Sequence, residues 1–207
     1  TQREDWGLNT VAEANREAVS QGWTGLSELM VGEGRLMELL QADQKCDLDL
    51  RLNVYLAYNQ FGGDSLGDWY QAYKPGEQIS PHIRIAGIKI FIDYDSGREF
   101  FFTEEELTKV LKELNEEGWQ VSMKAVSIQS HELALNAIEN VLQGESNQVA
   151  RFRLEHSVAV TDEQLEYMAD TGIIACIQPG FPGVMAYEPD IIRIAEENGF
   201  EQSYRWR

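Results

Sequence analysis

Cysteine is scarce in this chain of 207 residues: only Cys46 and Cys176 occur, far apart and without CxxC or zinc-knuckle spacing. That argues against a disulfide framework or a cysteine-built zinc module, and for reduced thiols in a cytoplasmic setting. Basic residues are also few. Lys plus Arg number 17 against 35 Asp plus Glu, a formal charge of -18, so the surrounding field repels phosphate backbones and anionic lipid surfaces. Nucleic acid and membranes are poor partners for such a chain, and the acidity reads as a solvated surface that favours solubility. No signal peptide is present, nor an apolar run approaching the roughly 20 residues needed to cross a bilayer. A phosphate-binding loop is missing too. Residues 31–34 read VGEG, with an acid among the glycines and no third glycine, unlike the dinucleotide fingerprint. Ser127 and Ser130 lack the surroundings of a serine-hydrolase elbow.

What the chain does contain is a regular alternation of strand-like and helical patterns. Continuous apolar runs at residues 24–30, 50–58, 83–92, 120–126, 152–156 and 173–178 predict parallel strands covered on both faces. Helical stripes lie between them: Leu107, Val110, Leu111 and Leu114 follow a Thr103/Glu106 capping box and precede Gly118. Thr161 with Gln164 predicts a second box, with Leu165, Met168 and Ala169 inward and Gly172 as the stop. Leu133, Ala134, Ala137, Ile138, Val141 and Leu142 form another stripe, and Val11, Ala14, Ala18 and Val19 the first. Cys176, inside an apolar run, reads as a packed core residue. Repeated strand–helix units imply right-handed crossovers and a parallel sheet. Without a phosphate loop the barrel is favoured over an open doubly wound sheet. The expected fold is therefore α/β, an incomplete (β/α)8 barrel of about six units forming one partial domain over residues 1–207, since six strands cannot close eight. The start at Thr1 and the end at Tyr204 to Arg207 read as a piece cut from something longer.

Chemistry-bearing residues cluster at strand ends. Lys89 sits in the apolar run GIKIFID of residues 87–93, where an unpaired ammonium is costly, so it must be paired, shifted or modified. Asp93 lies four residues on, and a Lys89–Asp93 ion pair is one reading. Lys124 ends the next strand, where a neighbouring lysine requires a carboxylate or an anion between them; a lysine so tuned can act as a base or form a Schiff base. The bland alternative is a lysine reaching solvent. His156 closes its strand beside Glu155 and, at the carboxyl edge of a parallel sheet, points toward the place where ligands and metals bind. His131 and His82 read as peripheral.

The order of these motifs resembles the urease-related amidohydrolase superfamily, and within it the branch of metal-dependent amide and formamide hydrolases. A strand of pattern G-x-K-x-F-x-D in that branch matches residues 87–93. H-A-x-G-D followed by A-L-D-A-I-E matches residues 124–128 (KAVSI) and 134–139 (ALNAIE) in part. R-x-E-H matches residues 153–156 (RLEH), G-x-x-A-S-x-Q-P matches residues 172–179 (GIIACIQP), and Tyr204 to Arg207 is similar to the helix before the last barrel strand. The resemblance implies a (β/α)8 barrel whose one or two divalent metals, zinc above all, activate water toward an amide carbonyl. It further implies that Lys89, carboxylated in several members, and His156 are metal ligands and that a small amide-type molecule is the substrate; Lys124 and Asp93, from the strand ends themselves, are the candidate catalytic residues. Departures are specific: Lys124 stands where the family has histidine, and Ile128 where it has aspartate. The family's His-x-His pair and last-strand aspartate fall outside residues 1–207.

Three functions remain open on this basis: a carbon–nitrogen hydrolase, inactive as this piece alone; a non-catalytic binding or scaffolding descendant; and a Schiff-base lyase using Lys124 or Lys89. An interrupted barrel also exposes sheet edges, which predicts a homo-oligomer or companion barrel segments.

Overall fold

The computed structural model describes residues 2–58, 69–93 and 100–178, with side chains from residue 10 onward. The described elements alternate as the sequence predicts: α1 (Gln2–Ser20), β1 (Gly25–Val31), α2 (Glu33–Gln44), β2 (Arg51–Ala57), a 3-10 turn (Trp69–Ala72), β3 (Ile83–Phe91), α3 (Glu104–Glu116), β4 (Gln120–Ala125), α4 (Ile128–Leu142), β5 (Arg153–His156), α5 (Asp162–Thr171) and β6 (Ile174–Ile177). The expected element at Tyr204 to Arg207 and the proline of the Gln178-Pro179 pair lie outside the described residues.

Strand order decides between the two parallel architectures. A doubly wound sheet reverses direction at a switch point, whereas a (β/α) barrel adds each strand beside the last. Here the order is β1-β2-β3-β4-β5-β6, with parallel registers such as Leu52↔Ile83 and Lys124↔Glu155. The fold is α/β and of the incomplete barrel type. Its residues group into two compact units, Thr1–Asn59 with Ser65–Lys89, and Gln60–Asp64 with Ile90–Arg207.

In the first unit, Val54 and Leu56 of β2 and Ile83, Ile85 and Ile88 of β3 are fully buried with Leu36 and Leu39 of α2. The predicted stripe on α1 is displaced: Val11, Ala12 and Asn15 are buried while Ala14 and Val19 are exposed. Asn15 explains the rotation. Its amide nitrogen donates to Asp49 (3.0 Å) and its amide oxygen accepts the backbone N–H groups of Asp49 and Leu50, so a polar clasp rather than the apolar stripe sets the helix face. His82 stays at the strand entry, where its backbone N–H and ring Nδ1 meet the two carboxylate oxygens of buried Asp43 at 3.2 and 2.7 Å, tying α2 to the start of β3. Burial works to raise the Asp43 pKa, but the nearby Ser80 hydroxyl and the His82 contacts outweigh it and hold the carboxyl below its ordinary range.

In the second unit, the predicted capping boxes at Thr103 and Thr161 both form, and a third, Ser127 with Ser130, starts α4. Gly172 adopts φ 76 as the left-handed cap of α5, the conformation glycine supplies without penalty. The α4 stripe packs as predicted, with Ala134, Ala137 and Ile138 fully buried. On α5 only Met168 is buried, while Leu165 is 46% exposed. The outermost strands in the order also depart from the two-sided burial expected of them: residues of β1 and β6 are largely half-buried or exposed, Ile177 reaches 67% and Cys176 is only half-buried. Among the described residues each has a strand neighbour on one side alone, so its apolar residues are not covered in full.

Asn147 fastens the α4–β5 connection. Its side chain accepts from Phe152 N (2.8 Å) and donates to the carbonyls of Phe152 and Gly172 (3.0 Å each), while its backbone N–H reaches Thr171 O. The residue is 1% exposed, so truncation strands several backbone groups away from water. Asn147→Ala is expected to destabilise the protein by about 3 kcal/mol, the sum of penalties of about 1–3 kcal/mol for each unsatisfied buried group after partial relaxation. Denaturant unfolding with an unchanged m-value checks this.

Candidate active site

Strands β4 and β5 separate apolar from polar residues by the two-residue period of the pleat. Val121, Met123 and Ala125 share one face of β4, and Leu154 the corresponding face of β5; all are fully buried. Ser122 and Lys124 lie on the opposite face, and their register partners are Arg153 and Glu155. Four polar side chains are thereby set in two adjoining rows. Barrel interiors are usually filled by branched apolar residues, so an ionic layer here marks a site.

Each carboxylate in that layer has its own cation. Lys124 Nζ donates to Asp93 Oδ1 at 2.7 Å and to the Asp93 carbonyl at 3.4 Å, and lies 5.7 Å from the centroid of the Phe91 ring. The second Asp93 oxygen accepts Val126 N at 3.4 Å. The Lys124 and Asp93 side chains are only 6% and 0% exposed. Moving such ions out of water costs several kcal/mol each, which only close pairing and hydrogen bonding offset. Beside them Glu155 Oε1 accepts from Ser122 Oγ (2.7 Å) and Arg153 Nε (2.5 Å).

His156 ends β5 with φ 76, and Ser157 follows at φ 36. Non-glycine residues held in this region carry strain of about 1–3 kcal/mol, a feature that gathers at functional sites. The turn breaks the pleat alternation, and ring Nδ1 meets Gln178 Oε1 at 3.0 Å; because an amide oxygen only accepts, that nitrogen carries the proton. Lys89, on β3 in the first unit, is 2% exposed.

His131, expected to be peripheral, lies in the core. It is fully buried one turn into α4, with Nδ1 donating to the Ser127 carbonyl at 2.8 Å, and Nε2 is a buried lone-pair nitrogen with no hydrogen-bond partner among the described residues. Burial lowers its pKa, with the Ser127 carbonyl and the Asp93 charge pulling weakly the other way. Ser122, Arg153 and Glu155 were also missed, although polar residues every second position in two otherwise apolar runs are a legible signal.

The expected site residues are thus only partly brought together. Asp93 and Lys124 form one contact pair, so Lys124 is not the solvent-reaching lysine, and Asp93 is engaged by Lys124. His156 has Gln178 as a partner. Among the described residues, no group of three or more His, Cys, Asp or Glu is placed to hold a metal. At Asp93 the donor set does not fit a divalent ion: one 4 Å from the ammonium would be repelled by about 8 kcal/mol at an effective dielectric of about 20, twice the value for unit charges.

Sequential parallel strand–helix units with polar side chains gathered at strand ends define a barrel-type scaffold. The chain belongs to the Amidohydrolase family, whose profile matches residues 7–207. Similar solved structures include metal-dependent hydrolases from Pyrococcus furiosus (22% identity, TM-score 0.67, covering 82% of this chain and 37% of that one) and Pyrococcus horikoshii OT3 (19%, 0.73, 94% and 41%). An ochratoxinase from A. niger is similar at 15% identity and TM-score 0.60, with coverage of 92% and 50%. At these identities the likeness shows the fold. The chain spans 37% and 41% of the length of the two Pyrococcus proteins. None of the curated proteins matches it. No helix among the described residues is long and apolar enough to cross a membrane.

Two outcomes follow from this geometry. Lys124→Met leaves the buried Asp93 charge uncompensated and is expected to cost about 3–5 kcal/mol, with much of the loss recovered in Lys124→Met/Asp93→Asn; a double-mutant cycle by denaturant unfolding measures the coupling. For His131 the folded pKa lies below the ordinary 6.5, so the unfolded chain binds more protons on acidification. Stability is full above pH 6.5 and declines as pH falls through that value, until the folded ring also titrates. His131→Gln should flatten that part of the unfolding free-energy profile.

Proposed function

We propose that the protein carrying this chain is a hydrolase of carbon–nitrogen bonds of the amide type, in the amide and formamide branch of its family. On this reading residues 1–207 supply about six of the barrel's strand–helix units and are inactive by themselves. The observation that carries it is the buried Lys124–Asp93 pair on the polar face of β4 in a chain matched to the family over residues 7–207. Hydrolysis places negative charge on the former carbonyl oxygen, and a preorganised cation in a dry site stabilises that charge without having to reorganise. Lys124 is the group with the charge to do so, and Asp93 orients its ammonium. Lys89 and His156 are assigned as ligands of a divalent ion, zinc in first place, which would supply an activated water when bound. Completing that ion's shell requires donors beyond the described residues.

The substrate is a small amide-type molecule, in keeping with the net charge of -18, which disfavours nucleic acid and anionic membranes. Free Cys46 and Cys176 accord with the cytoplasm. Leu26 on β1 and Ile177 on β6, 38% and 67% exposed, accord with companion barrel segments or a second copy covering those strands. A second reading, a non-catalytic binding or scaffolding descendant, is favoured by one observation: the Lys124 ammonium is already engaged by Asp93.

The full-length protein should hydrolyse members of a panel of N-acyl and N-formyl amides. Lys124→Met is expected to lower kcat/KM by about 100-fold or more, the scale for removing one oxyanion-stabilising group. A folded parent inert toward the whole panel would favour the scaffolding reading instead.

A further inference from the structure

We propose that Lys124 is a fixed cation occupying the place of a metal ion beside Asp93, so that the carboxyl end of β4 excludes divalent ions and any resident ion is bound without Asp93. The inference deepens the hydrolase reading and rests on it only in expecting an ion elsewhere.

Room is the first reason. A carboxylate oxygen holds zinc at about 2.0–2.2 Å, and the Lys124 nitrogen already stands 2.7 Å from Asp93 Oδ1. An ion on that oxygen would displace the ammonium into a region where Lys124 is 5% exposed. Engagement is the second, because Oδ2 faces the Val126 backbone N–H at 3.4 Å, so both carboxylate oxygens already have donors. Charge is the third. Lys124 neutralises Asp93 and Arg153 neutralises Glu155, which leaves the polar layer of β4 and β5 balanced with no surplus anion to attract a divalent cation. Glu155 is engaged as well, with Ser122 and Arg153 both donating to its Oε1.

Zinc is the probe, applied to the full-length protein. Bound zinc per chain, measured by inductively coupled plasma mass spectrometry after dialysis, should be the same in wild type and Asp93→Asn. In the wild type, the side-chain carboxyl 13C resonance of Asp93 should stay in place during titration with zinc chloride, a measurement that needs no variant to fold. In Lys124→Gln, which removes the cation and keeps a polar side chain, the same resonance should move with added zinc. Loss of one zinc equivalent in a folded Asp93→Asn, or a zinc-dependent shift of the wild-type Asp93 resonance, overturns the proposal. A parent that shows this pattern yet hydrolyses no amide sinks the functional reading and leaves the inference intact.

Discussion

A buried ammonium must be met by a carboxylate, and in this chain that requirement ties the segment just after β3 to the carboxyl end of β4 through Asp93 and Lys124. The contact has few equivalents in the described residues, where most other charges reach water. Its desolvation is costly, so the surrounding structure has to supply close geometry: a short Nζ–Oδ1 distance, a second donor at Val126 N and the Phe91 ring beneath the ammonium. The sheet achieves this through register. Parallel pairing with a two-residue period brings Ser122 beside Arg153 and Lys124 beside Glu155, and a slip of one residue would send the two polar groups of the slipped strand to the apolar face.

The helices hold that register from outside. Three capping boxes start α3, α4 and α5 at defined residues, which limits how far each crossover can slide. Asn147 then pins the entry of β5 to the end of α5 through backbone atoms. The strained turn at His156 and Ser157 follows directly, so the imidazole is aimed by a backbone that packing on both sides constrains.

Charge distribution connects this layer to function. The chain is strongly acidic overall, yet the β4–β5 layer is balanced acid for base, which separates a solvated exterior from a site whose field is local and directional. One of the two departures from the pattern that the sequence resembles, Lys124, falls at a paired position.

Strand number, the parallel architecture and most helix boundaries were legible in the sequence, because apolar runs of four to nine residues, capping pairs and terminal glycines are local signals that local physics reads. The family was legible for the same reason, through Gly87 to Asp93, Arg153 to His156 and Gly172 to Gln178 taken in order. Side-chain partnerships were not. Asp93 lies four residues from Lys89 and 31 from Lys124, and only strand pairing places it against the latter. Asn15 rotates α1 because of Asp49, 34 positions away, and His131 is buried by how α4 packs rather than by anything in its own turn. Sequence determines what each segment prefers to be; which charges meet, and which histidine is sealed from water, is settled by non-local contacts that exist only once the sheet is assembled.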